Sequence, residues 1–514
     1  MCGIAAVYSP QEDIHTECAC SAAEEMLDRL AHRGPDDRGT RTVGGHTWLG
    51  HRRLSIVDLD GGHQPLGGTS DDDWSLVCNG EIYNHQALRD ELPATAFGSS
   101  SDSAAALAVL RTEGPEGLHR LRGMWALCAA TPGGRFVAAR DAIGIKPLYW
   151  ARTGTAVHFA SELRAFTPEV RPGAEIFPPG HRWSPDEGLR RFAEPVPAHG
   201  RAVDWSGIPQ EVAEKATFEA VADSVRRHLM ADVEVGVFLS GGLDSGVVAA
   251  VAAETYARQG CRLKTFAVGT EGSPDLLAAR ETAAYLGTEH HEALLDAGAA
   301  GKVLDDVVAC VESFDASLIR SAVPNWFLSE LASQHVKVVL TGEGADELFA
   351  GYGYYHERHV APDALDAELR RTVGALHGLN LQRCDRVTMA HGLEARVPFL
   401  DHDVVAHAMS LPAHMKLLEE DGMEKGHLRR AFTGRLPHHL LWRRKEQFGT
   451  GSGAEGLLSP LWDTRITDEE FTAAAAREDV PELRSKEELG YYRTFRKALP
   501  GVRPEAVLTR FATG

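Results

Sequence analysis

The apolar run Val235-Gly236-Val237-Phe238-Leu239 leads into Ser240-Gly241-Gly242-Leu243-Asp244-Ser245, and a small-residue helical stretch follows. Small residues let the backbone close around an anion. The loop amides and the positive end of the next helix then face that anion. Ser240 and Ser245 add hydroxyl donors, and Asp244 can hold a magnesium ion. A strand, a tight loop and a helix in this order point to ATP held through its pyrophosphate. No GxxxxGK[ST] string occurs, so the loop used for γ-phosphate transfer is absent.

Cys2 offers a second chemistry. Removal of Met1, which a small second residue permits, leaves Cys2 with a thiol and a free α-amine. That amine has an ordinary pKa of about 7.7–8.0 and could act as base for its own thiol. Taken alone, Cys2 reads more simply as a buried cysteine in a first strand. The string Gly342-Glu343-Gly344-Ala345-Asp346-Glu347 is rich enough in carboxylate to need a metal or cation nearby. An acidic helix start is its simpler alternative.

These residues need two kinds of scaffold. Up to about residue 200 the chain has short β-like runs, such as Ser75–Cys78, Trp125–Ala129 and Arg135–Ala139, with helical stretches at Ala22–Ala31 and Ser103–Thr112. That is an α+β pattern with antiparallel sheets. Ser184–Asp204 reads as a connection. A helix at Glu211–Met230 opens a second pattern, in which strands at Leu263–Val268 and Val336–Leu340 alternate with helices. This is an α/β doubly wound parallel sheet with its ligand at the strand C-terminal ends, followed by a helical C-terminal part. The expected domains are 1–205 and 206–514.

A length of 514 residues requires more than one core, and a net charge of −20 disfavours nucleic acid as a partner. The longest apolar runs are too short to span a membrane. The N-terminus has no basic n-region. Eight sparse cysteines fit reduced thiols in the cytoplasm, and Cys18 and Cys20 have no second ligand pair.

The strings His32-Arg33-Gly34-Pro35-Asp36, His51–Asp58, Asn79-Gly80-Glu81-Ile82-Tyr83-Asn84 and Ser101-Asp102 resemble the class II glutamine amidotransferases. Their domain is an N-terminal nucleophile (Ntn) hydrolase with stacked antiparallel sheets. The resemblance implies that Cys2 attacks the side-chain amide of glutamine. It implies that Asn79 and Gly80 supply oxyanion donors, that Arg53 pairs with the α-carboxylate, and that Asp102, with Glu81 nearby, recognises the α-ammonium.

The glycine loop resembles the PP-loop of the N-type ATP pyrophosphatases, which split ATP into AMP and pyrophosphate. With Thr265–Gly269, Gly342–Glu347, Gly392–Asp401 and Trp442–Phe448, the second half is similar to glutamine-hydrolysing asparagine synthetases. The resemblance runs to roughly residue 455. It implies ATP at Leu239, Ser240, Gly241, Gly242, Asp244, Ser245, Val268 and Gly342, with Leu239 and Val268 meeting adenine through backbone atoms. It implies magnesium on Asp244 and Asp346. Lys445 would neutralise phosphate charge, Glu343 would face the acceptor amine or ammonia, and Arg320 would lie in the substrate site. A homodimer is the family expectation. Of the basic run Arg443-Arg444-Lys445, only Lys445 is given a role. Tyr352, Tyr354 and Tyr355 are expected to pack, and Glu289-His290-His291-Glu292 to be structural.

Two positions depart from the family pattern. Leu318 stands where a threonine is expected, and Asn380 where an aspartate is expected. Leu318 cannot hydrogen-bond through its side chain and Asn380 carries no charge. Both losses count against aspartate as the acceptor carboxylate, which leads by the resemblance, and three other readings stand beside it. These are another carboxylic acid in specialised metabolism, an intramolecular ligase of the β-lactam synthetase type, and a glutamine-binding regulatory protein. The last sixty or so residues carry no functional signal, and Asp468–Asp479 reads as surface helix.

Overall fold

The computed structural model describes residues 2–10, 17–70, 72–197, 205, 207–358, 361–419, 422–444 and 453–510. The N-terminal half is two stacked six-stranded sheets. One has the order Glu175–Ile176, Tyr149–Thr153, Ala156–Ala160, Cys2–Tyr8, Thr47–Arg53, Asp37–Val43, and its pairings are antiparallel. The other, also antiparallel, runs Gly188–Arg191, His181–Ser184, Phe136–Arg140, Gly123–Ala130, Ser75–Ile82, Leu66–Gly67. Inward faces such as Ile4, Ala6, Leu49, Val77, Cys128 and Phe159 fill the layer between them. Central strands buried on both faces explain why Ser75–Ile82 lacks polar alternation. The stretch expected to be only a connection contains the strand Gly188–Arg191, which pairs with His181–Ser184. Its alternating Gly, Leu and Arg made a weak strand signal.

The second half is built on a five-stranded parallel sheet. Its order is Glu289–Leu294, Lys264–Gly269, Val235–Phe238, Val338–Leu340, Glu394–Arg396. Leu243–Arg258 is the helix after the glycine loop, and its start is nearly all small or apolar because that face is buried. The helices Ala316–Ser333 and Asn380–Ala390 each precede a strand of this sheet. They run against the strands, so their first turns lie at the ligand end. The C-terminal helices Ala454–Arg465 and Lys486–Ala498 place Leu458, Trp462, Leu489, Tyr491 and Phe495 in one apolar cluster with Phe314 and Leu318. Asp468–Ala475 has no buried residue, as expected of a surface helix.

The two halves share their cores. Leu54, Ile56, Met124 and Ile143 join the cluster around Val235, Val237 and Leu340, while Trp48, Phe166 and Ala5 join the one around Val307 and Leu318.

Candidate active site

Cys2 opens the first strand and is 7% exposed. Its amide donates to Asn79 Oδ1 at 3.0 Å. That contact fixes the Asn79 carboxamide beside Cys2. Its Nδ2 is left buried without a partner among the described residues. An unused donor at this place is what an oxyanion requires. Gly80 has φ +147°, and a side chain there would run into the Met124 carbonyl. Burial pushes the Cys2 thiol pKa up, so ionising the thiol requires a base.

Asp102 accepts from the Ile82 amide at 2.7 Å, just before the helix Ser103–Glu113. Burial raises its pKa. Burial, with Glu394 and Asp102 beside it, pushes Glu81 well up. Glu394 belongs to the second half and ion-pairs with Arg396 at 2.5 Å; Arg396 Nη2 lies 3.4 Å from Glu81. Glu81, Asp102 and Glu394 make this end of the site acidic, with Arg396 and Lys146 among the cations beside it. Arg53 lies opposite Cys2 in the strand register. Its Nη1 and Nη2 donate to the Val57, Asp58 and Leu59 carbonyls at 3.2, 2.6 and 3.0 Å, so the fork is set by its own loop.

At the second site, Ser240–Ser245 and Gly342–Glu347 follow neighbouring parallel strands. Gly241 has φ +73°, and a side chain there would meet the Asp275 carbonyl and Ala278. A Cβ on Gly342 would sit 2.8 Å from Asp244 Cβ, so only glycine lets the acidic loop close on the phosphate loop. Ser240 Oγ and Ser245 Oγ are 3.0 Å apart. Leu239 and Val268 lie at the ends of adjacent strands, with the Leu239 amide bonded to the Phe266 carbonyl at 2.8 Å.

Asp244 and Asp346 converge on Lys425. Its Nζ is 2.7 and 2.6 Å from the two Asp244 oxygens and 2.5 Å from Asp346 Oδ1. Lys425 is 2% exposed. Burial opposes its charge, yet the two carboxylates raise its pKa. Two carboxylates close enough to share one ammonium are hard oxygen donors of the kind that would hold a magnesium ion. Lys425 escaped the sequence reading because 181 residues separate it from Asp244.

Glu343 pairs with Arg383 on the helix Asn380–Ala390. Glu347 accepts from the Tyr352 hydroxyl at 2.7 Å, while Asn380 Nδ2 donates to Tyr352 Oη at 3.2 Å and to Glu347 Oε1 at 3.4 Å. Tyr352 is thus part of a polar cluster rather than packing alone. Arg320 is held by Glu487 of the C-terminal helix, with contacts of 2.5 to 3.2 Å, and Tyr491 also donates to Glu487. A substrate carboxylate at Arg320 would have to displace that internal one. Leu318 is fully buried in the apolar cluster, which accounts for its type. Arg443, given no role above, donates to the Gly241 carbonyl at 3.1 Å and pairs with Asp275 at 2.7 Å, bracing the loop. Lys445 lies outside the described residues. His291 stacks on His335 and His290 bonds Thr265, a structural use as expected.

The family model for the glutamine amidotransferase domain matches residues 1–177, and that for asparagine synthase matches 217–366 and 357–501. Asparagine synthetase [glutamine-hydrolyzing] 3 of Arabidopsis thaliana is 40% identical over 472 residues, covering 88% of this chain and 79% of its own. Asparagine synthetase B [glutamine-hydrolyzing] of Escherichia coli (strain K12) is 36% identical over 522 residues, covering 97% and 92%. The relative from Sandersonia aurantiaca is 39% identical, covering 88% and 87%. With both halves matched in order along one chain, the protein belongs to the glutamine-hydrolysing asparagine synthetase family of carbon–nitrogen ligases.

Proposed function

We propose that the chain hydrolyses glutamine at Cys2 and uses the ammonia to amidate a carboxylate activated by ATP, with aspartate the acceptor and asparagine the product. The observation that carries this reading is the pairing, in one chain, of an orphaned Asn79 donor beside Cys2 with two carboxylates converging on Lys425. After Met1 removal the Cys2 amine takes the thiol proton, and the sulfur attacks the glutamine amide. Asn79 Nδ2 and the Gly80 amide stabilise the oxyanion. Glu81 and Asp102 hold the α-ammonium, and Arg53 the α-carboxylate. Loss of ammonia leaves a thioester that water cleaves to glutamate.

In the second site, Ser240, Gly241, Gly242 and Ser245 cradle the phosphates of ATP, with Leu239, Val268 and Gly342 shaping the nucleotide pocket. Magnesium on Asp244 and Asp346 would screen the pyrophosphate. Lys425 and Lys445 balance the charge as the acceptor oxygen attacks the α-phosphorus and pyrophosphate leaves. Glu343 faces the ammonia that displaces AMP. Because water competes for the acyl-adenylate, delivery through the shared interior favours amide over hydrolysis.

A second reading, amidation of a different carboxylic acid, is favoured by Asn380. It presents a neutral amide to Glu347 and Tyr352 where the family pattern expects an acid.

The test supplies ATP-Mg, glutamine or ammonia, and a panel of carboxylic acids, and reads pyrophosphate and amide. Aspartate-dependent pyrophosphate and asparagine are expected. Activity confined to another acid would remove asparagine synthesis and leave the second reading. Cys2→Ala is expected to abolish glutamine use while ammonia use persists.

A further inference from the structure

The interface between the halves buries more charge than either reaction requires. Arg33, fully buried at the end of the turn Ala31–Arg33, donates from Nε to the Cys2 carbonyl at 3.0 Å. Its Nη1 and Nη2 form a fork on Asp385, at 2.8 and 3.1 Å, and Nη1 also donates to Glu162 at 2.7 Å. Asp385 lies on the synthetase helix Asn380–Ala390 and is 4% exposed. Lys146 Nζ stands 3.8 Å away and Arg386 3.6 Å. Burial opposes ionisation of Asp385, but these cations, Arg33 foremost, hold its pKa below the usual range.

A buried pair of this kind contributes little to stability compared with an apolar pair of the same volume. What it supplies is geometry, because a guanidinium forked on a carboxylate has one orientation. Two residues before Asp385, on the same turn of helix, Arg383 grips Glu343 of the acidic loop. One rigid helix therefore touches the main chain of the glutaminase nucleophile through Asp385 and Arg33, and the acceptor side through Arg383.

We infer that Asp385 is a positioning residue for Cys2: acting through Arg33, it orients the nucleophile's main chain, so glutamine cleavage depends on how the synthetase helix is seated. This rests on the two-site reading above. A displacement of the helix when the acceptor site fills would reach Cys2 through two side chains.

The experiment measures glutamate release and, separately, ammonia-dependent pyrophosphate formation in the full chain. Asp385→Asn keeps the shape and removes the charge. It is expected to lower the glutaminase kcat at least tenfold with KM for glutamine within threefold, and to leave the ammonia-dependent rate within twofold. Asp385→Glu keeps the charge and is expected to recover at least a third of the parent kcat. It also serves as the readable variant if Asp385→Asn does not fold; a kcat below a tenth of the parent's would then count against the inference. Arg33→Gln combined with Asp385→Asn is expected to fall no further than Arg33→Gln alone, since both changes break one linkage. Unchanged glutaminase kcat in Asp385→Asn, equal losses in both reactions, or additive losses in the double variant would overturn the inference. Glutamate release is read without any acceptor, so failure of every acid to yield pyrophosphate would sink the synthetase reading and leave this one measurable.

Discussion

Glu347 is the acid of the synthetase site with the most legible titration. Burial first, then the adjacent Asp346, raises its pKa to about 7. A carboxyl raised in the folded state binds its proton more tightly there than in the unfolded chain. Its favourable contribution is present below the ordinary glutamate range and is lost as the pH rises through about 7. A shift of this size corresponds to roughly 3 kcal/mol. Glu347→Gln should therefore raise the thermal midpoint at pH 8 and leave it unchanged near pH 4; equal effects at both would contradict the assignment. Asn79→Ala should lower glutaminase kcat about 100- to 1000-fold, the usual effect of losing an oxyanion donor. Lys425→Met removes the ammonium that Asp244 and Asp346 share and should reduce pyrophosphate formation at least 100-fold, read with ammonia as nitrogen source. Asn79 and Asp102 could be named because they lie in contiguous strings by which the chain resembles its family, and the glycine loop because small residues between a strand and a helix suit an anion; Cys2 alone reads as a buried cysteine. Lys425 and Arg383 were given no role, because their partners Asp244, Asp346 and Glu343 are distant in the chain.

At the scale of elements, the sheets and the glycine-loop helix followed from apolar runs bounded by turns. The helix Lys486–Ala498 was passed over although its start is written plainly. Ser485 accepts from the Glu488 amide at 3.2 Å, and Glu488 reaches back to the Arg484 amide at 2.7 Å, close to a capping box. Leu489, Tyr492, Phe495 and Leu499 then recur at helical spacing. What the sequence could not show are the helix's partners, Phe314 against Tyr492 and Phe495, and Trp462 against Tyr491. Gly490 lies under the Trp462 indole, and a methyl there would overlap the ring. Gly490→Ala should cost about 1–3 kcal/mol in urea unfolding despite alanine's better helix propensity. A neutral or stabilising result would mean that Trp462 shifts freely.

For the whole molecule, the shared apolar clusters and the buried Arg33–Asp385 contact predict that the halves unfold together. Calorimetry should give one transition with matching calorimetric and van't Hoff enthalpies; two separated peaks would show that the interface is weaker than its packing. The order of the two halves was legible from the change of pattern at about Pro209, and the family models match in that order. The degree of fusion was not, because Leu54, Ile56 and Ile143 look like ordinary core residues of their own half. One consequence follows from the strand Glu394–Arg396. It is the last strand of the parallel sheet and is entirely buried, with Arg396 set over Tyr83 and beside Glu81. Cut away from residues 1–205, the synthetase half would expose the edge of this strand with its Glu394–Arg396 pair, a template for self-association. Attempts to express that half alone should meet insolubility before they meet loss of activity, and a glutaminase fragment added in trans would act first as a solubilising lid.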